Sequence, residues 1–163
     1  MKKIFLLLFT LCSLSLAVRL GDLELSPEFG GGAQRLMING KSHYEYSLYG
    51  KVWVGVNDLV IAPQFKYSSL DDGYRQLKNQ QYGVSVGLNI ELAVLYLTPY
   101  LGANYSSFNE YYESTVSFNA GLRAKPMLFP LTVGVEYQYQ NPNTIYGRNV
   151  KMEAVLFSLG FSF

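Results

Sequence analysis

The chain has 163 residues, 49% of them hydrophobic and 15% aromatic, with 13 Lys and Arg against 12 Asp and Glu. That length is one ordinary domain, and so even a balance leaves no basic stripe for a phosphate backbone, so no nucleic-acid partner is expected.

The chain opens with Lys2 and Lys3, an apolar run from Ile4 to Leu11 and the small-x-small triplet Ser15-Leu16-Ala17. Together these read as an export signal over residues 1–17, which is set apart from the fold. Without Lys2 and Lys3 the 13 basic residues become 11, against 12 acidic ones. The apolar run is far shorter than the roughly 20 residues a membrane-spanning helix needs, and no later segment supplies one. Cys12 is the single cysteine and lies inside the signal, so residues 18–163 carry no disulfide. Leu11 stands where a lipoprotein signal has a small residue, so no lipid anchor is expected.

From there the sequence alternates apolar and polar residues in eight successive segments. The first carries Leu23, Leu25, Pro27 and Phe29, and a long polar connection is expected over 30–41. The second carries Tyr44, Tyr46, Leu48, Val52 and Val54, and after a short turn at 56–58 the third carries Leu59, Ile61, Phe65 and Tyr67. A long connection over 68–79 leads to the fourth, where Tyr82, Val84, Val86, Leu88 and Ile90 oppose Gly83, Ser85, Gly87, Asn89 and Glu91. A short turn at 92–94 precedes the fifth, with Leu95, Leu97, Leu101 and Tyr105, and a long stretch over 106–114 follows it. In the sixth, Val116, Phe118, Ala120, Leu122 and Ala124 alternate with Ser117, Asn119, Gly121, Arg123 and Lys125; a short 126–130 connection follows. The seventh alternates without fault from Leu131 to Gln140, and a long 140–149 connection leads to the eighth, with Val155, Phe157, Leu159, Phe161 and Phe163 on one face.

Period two marks strands with two unlike faces. Segments of about ten residues exceed the usual globular strand and match a tilted strand crossing a bilayer. Connections that alternate long and short, with an even strand count, are the signature of an up-and-down transmembrane barrel. The fold class is therefore all-β: an eight-stranded antiparallel up-and-down transmembrane β-barrel formed by residues 18–163.

Residue size decides which face is outside. The polar face holds Gly83, Gly87, Gly102, Gly121, Gly134 and Ser85, which suits the cramped interior of eight strands, filled by its own side chains. Tyr44, Tyr46, Tyr67, Tyr82, Tyr105, Tyr137 and Tyr139 fall on the apolar face towards the long connections, as an interfacial girdle would. Pro63 and Pro99 are expected near strand starts, and Pro27 marks a bulge or a later start of the first strand. Lys151 and Glu153 share the phase of Phe163; ten residues at about 3.3 Å, tilted about 40°, lift Glu153 roughly 25 Å, to the upper edge of the apolar band.

On this phase Glu24, Glu28, Glu45, Glu91 and Glu136 point inward with Lys51, Lys66, Arg123 and Lys125. Buried charges persist when paired. Ion pairs among Glu45, Lys51, Lys66, Arg123 and Glu136 are therefore expected, with Glu136 and Arg123, on adjacent strands, the first pair to name. Such a network is either a structural plug or the gate of a narrow ion path. His43 is the only histidine, beside the first long connection; Ser68, Ser69, Asp71 and Asp72 lie on the same side. A triad is recognised by geometry rather than inventory, so no catalytic residue is assigned. No metal-ligand spacing, phosphate loop or nucleophile motif occurs, and no cofactor is expected. Gly30-Gly31-Gly32, Asp71-Asp72-Gly73 and Asn141-Pro142-Asn143 are turn formers, and Tyr111-Tyr112 are aromatics offered by a loop to a possible surface ligand.

The segments Thr98-Pro99-Tyr100-Leu101-Gly102-Ala103 and Val133-Gly134-Val135-Glu136-Tyr137-Gln138-Tyr139, with the terminal Phe163, resemble the fifth-strand, seventh-strand and assembly-signal motifs of the small outer-membrane barrels, the family that includes the transmembrane part of outer-membrane protein A. The resemblance implies a place in the cell outer membrane, contact with its lipid, and insertion by the barrel assembly machinery through Phe157, Leu159, Phe161 and Phe163. It carries no wall-tethering role, because the peptidoglycan-binding domain of larger members has no counterpart here. The expected function is non-enzymatic, structural or surface-interacting, with at most a narrow gated pore. The alternatives are a lipid-modifying barrel enzyme using His43 and a soluble ligand-carrying barrel.

Overall fold

Strands that are apolar on one face and polar on the other leave unpaired backbone at any edge they keep, and closure removes the edge. In the computed structural model, which describes residues 18–20, 23–71, 76–109 and 111–163, the sheet closes in this way. Strands β1 (Val18–Leu20), β2 (Leu23–Ile38), β3 (Lys41–Val56), β4 (Leu59–Asp71), β5 (Gln76–Leu88), β6 (Ile90–Leu92), β7 (Leu95–Phe108), β8 (Thr115–Pro126), β9 (Leu131–Gln140) and β10 (Met152–Ser162) follow one another along the chain. Each pairs antiparallel with its neighbour, β10 returns to β2, and β2 pairs β3. β5 and β6 are one barrel strand, since both pair β7 in the same register, Gly87 with Tyr100 and Ile90 with Leu97. Short β1 folds back on the start of β2, so the wall has eight strands.

The apolar phase faces outward. Phe157, Leu159 and Leu101 are 66%, 68% and 68% exposed, whereas the alternate positions Ser85, Thr98 and Ser117 are fully buried.

The first hairpin differs from the expected long connection at 30–41: both strands continue through it and turn over Asn39 and Gly40, each with positive φ. Its three glycines are strand residues that give clearance. A Cβ on Gly30 would lie 2.5 Å from the Tyr49 hydroxyl, and one on Gly32 would lie 2.1 Å from the Phe157 carbonyl oxygen. The same lengthening shortens the expected 68–79 and 106–114 connections, because β4 reaches Asp71, β5 starts at Gln76 and β7 reaches Phe108.

Pro63 and Pro99 stand inside β4 and β7 rather than at their starts, and each coincides with an interruption. The β3–β4 ladder runs to Lys51–Gln64 and resumes at Val54–Ile61, with Pro63 in the gap. The break between β5 and β6 falls opposite Pro99, as expected where a residue has no N–H to donate. Pro27 makes no bulge; it pairs Val52 in register, and its carbonyl accepts from the Phe163 N–H at 3.0 Å.

Two substitutions separate clearance from turn geometry. Gly32→Ala is expected to cost about 1–3 kcal/mol through overpacking. Gly40→Ala, where nothing lies within 4 Å but φ is +84°, is expected to cost about 1–2 kcal/mol through the left-handed backbone alone. Urea unfolding of the folded barrel in micelles, followed by the gel shift between unboiled and boiled samples, measures both.

Candidate functional site

Inward positions of facing strands meet across a lumen too narrow for bulk water, so every charge there needs a protein partner. Two carboxylates organise it. Glu136 on β9 accepts from Lys51 Nζ at 3.2 Å, Lys66 Nζ at 3.0 Å, the Tyr100 hydroxyl at 2.9 Å and Asn119 Nδ2 at 3.1 Å. Lys51 also donates to the Tyr100 hydroxyl at 3.1 Å and lies 4.3 Å from that ring's centroid. Lys66 donates in addition to Gln138. Below, Glu28 on β2 accepts from Arg123 Nε at 2.5 Å, Trp53 Nε1 at 2.9 Å and the Tyr49 hydroxyl at 3.0 Å. Arg123 reaches Ser162 Oγ at 2.8 Å, and Lys125 reaches Ser26 Oγ at 3.2 Å.

Arg123 is thus paired with Glu28 rather than with Glu136. Glu136 sits in register with Gly121, which carries no side chain to hold back Tyr100, and the Lys51 and Lys66 ammoniums reach it from the far wall. Glu45 accepts from Gln34 Nε2 on the neighbouring strand, higher in the lumen. Glu91 is exposed, contrary to the inward expectation, because β6 lies beside the short turn at Ala93–Val94, where the wall ends. The side chains of Glu24 and Asp71 and residues 1–17, 72 and 73 lie outside the described residues. Tyr49, Trp53 and Tyr100 are the lumen residues that alternation alone did not single out; their inward parity on β3 and β7 is the signal that identifies them.

Space beside this network amounts to about 20 Å³, room for about one water molecule. The mouth at the long-loop end is closed separately. Leu36, Met152 and Ala154 from β2 and β10 are buried with Val150 in one cluster, against which Ile38, Leu77, Phe108 and Tyr112 pack. Since β5 and β7 lie across the barrel from β2 and β10, the cluster spans the opening.

Over it, the 141–151 loop folds on itself through the bridge Asn143–Asn149 and the Val150 N–H on the Pro142 carbonyl at 2.9 Å, and the bridge Tyr112–Thr144 joins it to the connection after β7. Its tip presents Ile145 and Tyr146, 54% and 76% exposed. Lys151 and Glu153 pair at 3.1 Å at the rim, where Glu153 also accepts from the Tyr137 hydroxyl at 2.8 Å.

His43 is half-buried in register with Leu36, while Ser68 is in register with Ser47, four residues further along β3 and so about 13 Å away. Among the described residues no hydrogen bond or ion pair joins His43 to Ser68 or Ser69, and no group of three or more His, Cys, Asp or Glu is placed to hold a metal ion.

Removing one partner of a buried ionic cluster strands the others, at about 3–5 kcal/mol. Glu136→Leu is therefore expected to lower barrel stability by that order, and the triple change Glu136→Leu, Lys51→Met, Lys66→Met to recover most of the loss. Urea midpoints of the three proteins in the same micelles decide this; equal midpoints for the single and triple variants would refute the charge account.

No protein-family model and no curated protein matches the sequence. Several solved structures are similar to it, among them the following two. Neisserial surface protein A is 14% identical with a TM-score of 0.60, over 85% of this chain and 97% of that one. Ail, the attachment invasion locus protein of Yersinia pestis, solved in complex with the heparin analogue sucrose octasulfate, is 16% identical with a TM-score of 0.51, over 88% of this chain and 100% of that one. With its closed eight-strand wall, its apolar outer face and these likenesses, the chain has the fold of the small eight-stranded outer-membrane β-barrels.

Proposed function

We propose that this barrel is non-enzymatic and acts at the cell surface, through its outer loops and through its structural presence in the envelope. The double closure of the lumen carries the reading. An ionic network fills the middle and an apolar cluster seals the outer mouth, so the path through the barrel is at most a narrow gated pore. Among the described residues, the 141–151 loop offers available groups, where a bridged hairpin holds Ile145 and Tyr146 clear of the wall. Exposed aromatics on a braced loop suit recognition of a partner surface. Ail has been solved with a heparin analogue; on our reading the present loops likewise take a surface ligand.

In the same proposal residues 1–17 direct export, outer-membrane lipid surrounds the barrel, and the assembly machinery reads Phe157, Leu159, Phe161 and Phe163. Phe157, Leu159 and Phe161 are all largely exposed on the lipid side of β10. The lipid-modifying alternative rests on His43 and is kept as an outcome of the test.

The test uses the barrel reconstituted in neutral lipid and heparin beads as the probe. Tyr146→Ser with Ile145→Ser is expected to weaken retention at least fivefold, while His43→Ala leaves it unchanged and leaves the acyl chains of the surrounding lipid as the parent protein leaves them. Equal retention of parent and loop variant would remove the surface-binding part, and an acyl-chain change made by the parent but abolished in His43→Ala would replace the proposal with an enzyme.

A further inference from the structure

The upper lumen has two unlike halves. On β7 to β9 its polar groups satisfy one another: Ser106 Oγ donates to Gln140 Oε1 at 2.9 Å and lies 3.3 Å from Ser117 Oγ, and Gln138 Nε2 donates to Gln140 Oε1 at 3.4 Å. On β2 to β5 they do not. Gln34 Oε1, Ser47 Oγ, Asn79 Oδ1 and Gln81 Oε1 are buried and meet no hydrogen-bond partner among the described residues. Buried polar atoms are nearly always satisfied, so a group of such oxygens on one side of a lumen points to a ligand.

The register brings these oxygens together. Ser47 pairs with Ser68 and Ser68 with Asn79, so inward positions of β3, β4 and β5 form one row. Gln81 is the next inward position along β5, and Glu45 the next along β3, where Gln34 of β2 is its register partner. None of Gln34, Glu45, Ser47, Asn79 and Gln81 is more than 5% exposed. The layer is closed from above and below. Leu36, the inward residue above Gln34, is in the apolar cluster at the mouth, and Leu77, above Asn79, packs against it. Lys66, in register with Gln81, is turned to Glu136 and Gln138.

Charge selects the kind of ligand. Glu136 is paired with Lys51 and Lys66, and Glu28 with Arg123, whereas Glu45, expected among the ion pairs, has no Lys or Arg of the described residues within ion-pair distance. Its donor is the neutral Gln34 Nε2. A carboxylate among amide and hydroxyl oxygens is the ligand set of a hard cation. One carboxylate balances one positive charge, and among the described residues no group of three or more acidic or imidazole ligands forms a divalent site.

We infer that the β2–β5 side of the upper lumen binds one monovalent cation of the size of sodium, held by the Glu45 carboxylate and by oxygens of Gln34, Ser47, Asn79 and Gln81. The ion does for Glu45 what the two ammoniums do for Glu136, and it clips β2, β3 and β5 together beneath the sealed mouth. No loop residue takes part, so the site stands apart from the surface reading.

Urea unfolding of the barrel in neutral micelles tests this, at one ionic strength set by sodium chloride or by choline chloride, whose cation is too large for the layer. A ligand bound by the folded state alone raises the folding constant in proportion to its concentration, so the parent is expected to gain about tenfold for each tenfold rise in sodium once the site begins to fill. Glu45→Gln, which keeps the shape and removes the charge, is expected to abolish the sodium dependence. Asn79→Leu, which removes one neutral oxygen and leaves the carboxylate, is expected to move its onset severalfold higher in sodium, and it carries the test alone if unboiled gel mobility shows Glu45→Gln misfolded. Ser117→Ala, on the satisfied side, is expected to keep the dependence of the parent. Equal constants in sodium and choline for the parent would mean that water, or a proton on Glu45, meets these oxygens and would overturn the inference. So would a sodium dependence unchanged in Glu45→Gln or Asn79→Leu, or one lost equally in Ser117→Ala.

Discussion

A carboxylate removed from water has to be met by donors from every side, and in this barrel that requirement falls on Glu136. Its donors come from β3, β4, β7 and β8, so one side chain on β9 ties five of the eight walls to a common centre. Tyr100 can reach that centre because Gly121 opposite offers no side chain: a Cβ there would lie 2.4 Å from the Tyr100 ring. Glu28 repeats the arrangement lower down with Arg123, Trp53 and Tyr49. The small residues of the lumen and its large polar ones are thus linked, Gly30 and Gly160 making room for Tyr49 and Gly121 for the Tyr100 ring.

The wall was legible in the sequence because parity is local. Leu131 to Gln140 alternates without fault, and β9 spans that same range. The charges on β3, β4, β8 and β9 were placed inward by the same rule. Partners were not legible, because they are chosen across the barrel: Arg123 and Glu136 sit on adjacent strands but two residues apart in register, while Glu28 comes from a strand remote in sequence. Gly30-Gly31-Gly32 misled for a related reason. Locally three glycines read as a turn, and only the neighbours across the sheet, the Tyr49 ring at Gly30 and the Phe157 carbonyl at Gly32, show why small residues stand there. Pro63 and Pro99 read as lying near strand starts, but each is the fifth residue of its strand and is tolerated there because the ladder is interrupted beside it.

Outside, the same alternation produces a face that is large and apolar in its middle and aromatic and charged at its outer rim. Tyr137 and the Lys151–Glu153 pair form one hydrogen-bonded group there, which lets charges sit at the edge of the apolar band at little cost. Above the rim, two bridges and a buried Pro142 brace the 141–151 segment against the cluster that closes the mouth.

The seam between β2 and β10 has a consequence for how the molecule comes into being. Eleven register pairs join Met152–Ser162 to Ile38–Glu28, and the Asn39 N–H clasps the Lys151 carbonyl at 3.1 Å above them. Until the last strand arrives, one side of β2, which carries Gly30, Gly31 and Gly32, is a ribbon of unmet backbone groups open to pairing with another strand. Chains crowded together would exchange last strands there, so until the seam closes pairing between copies competes with folding of each one.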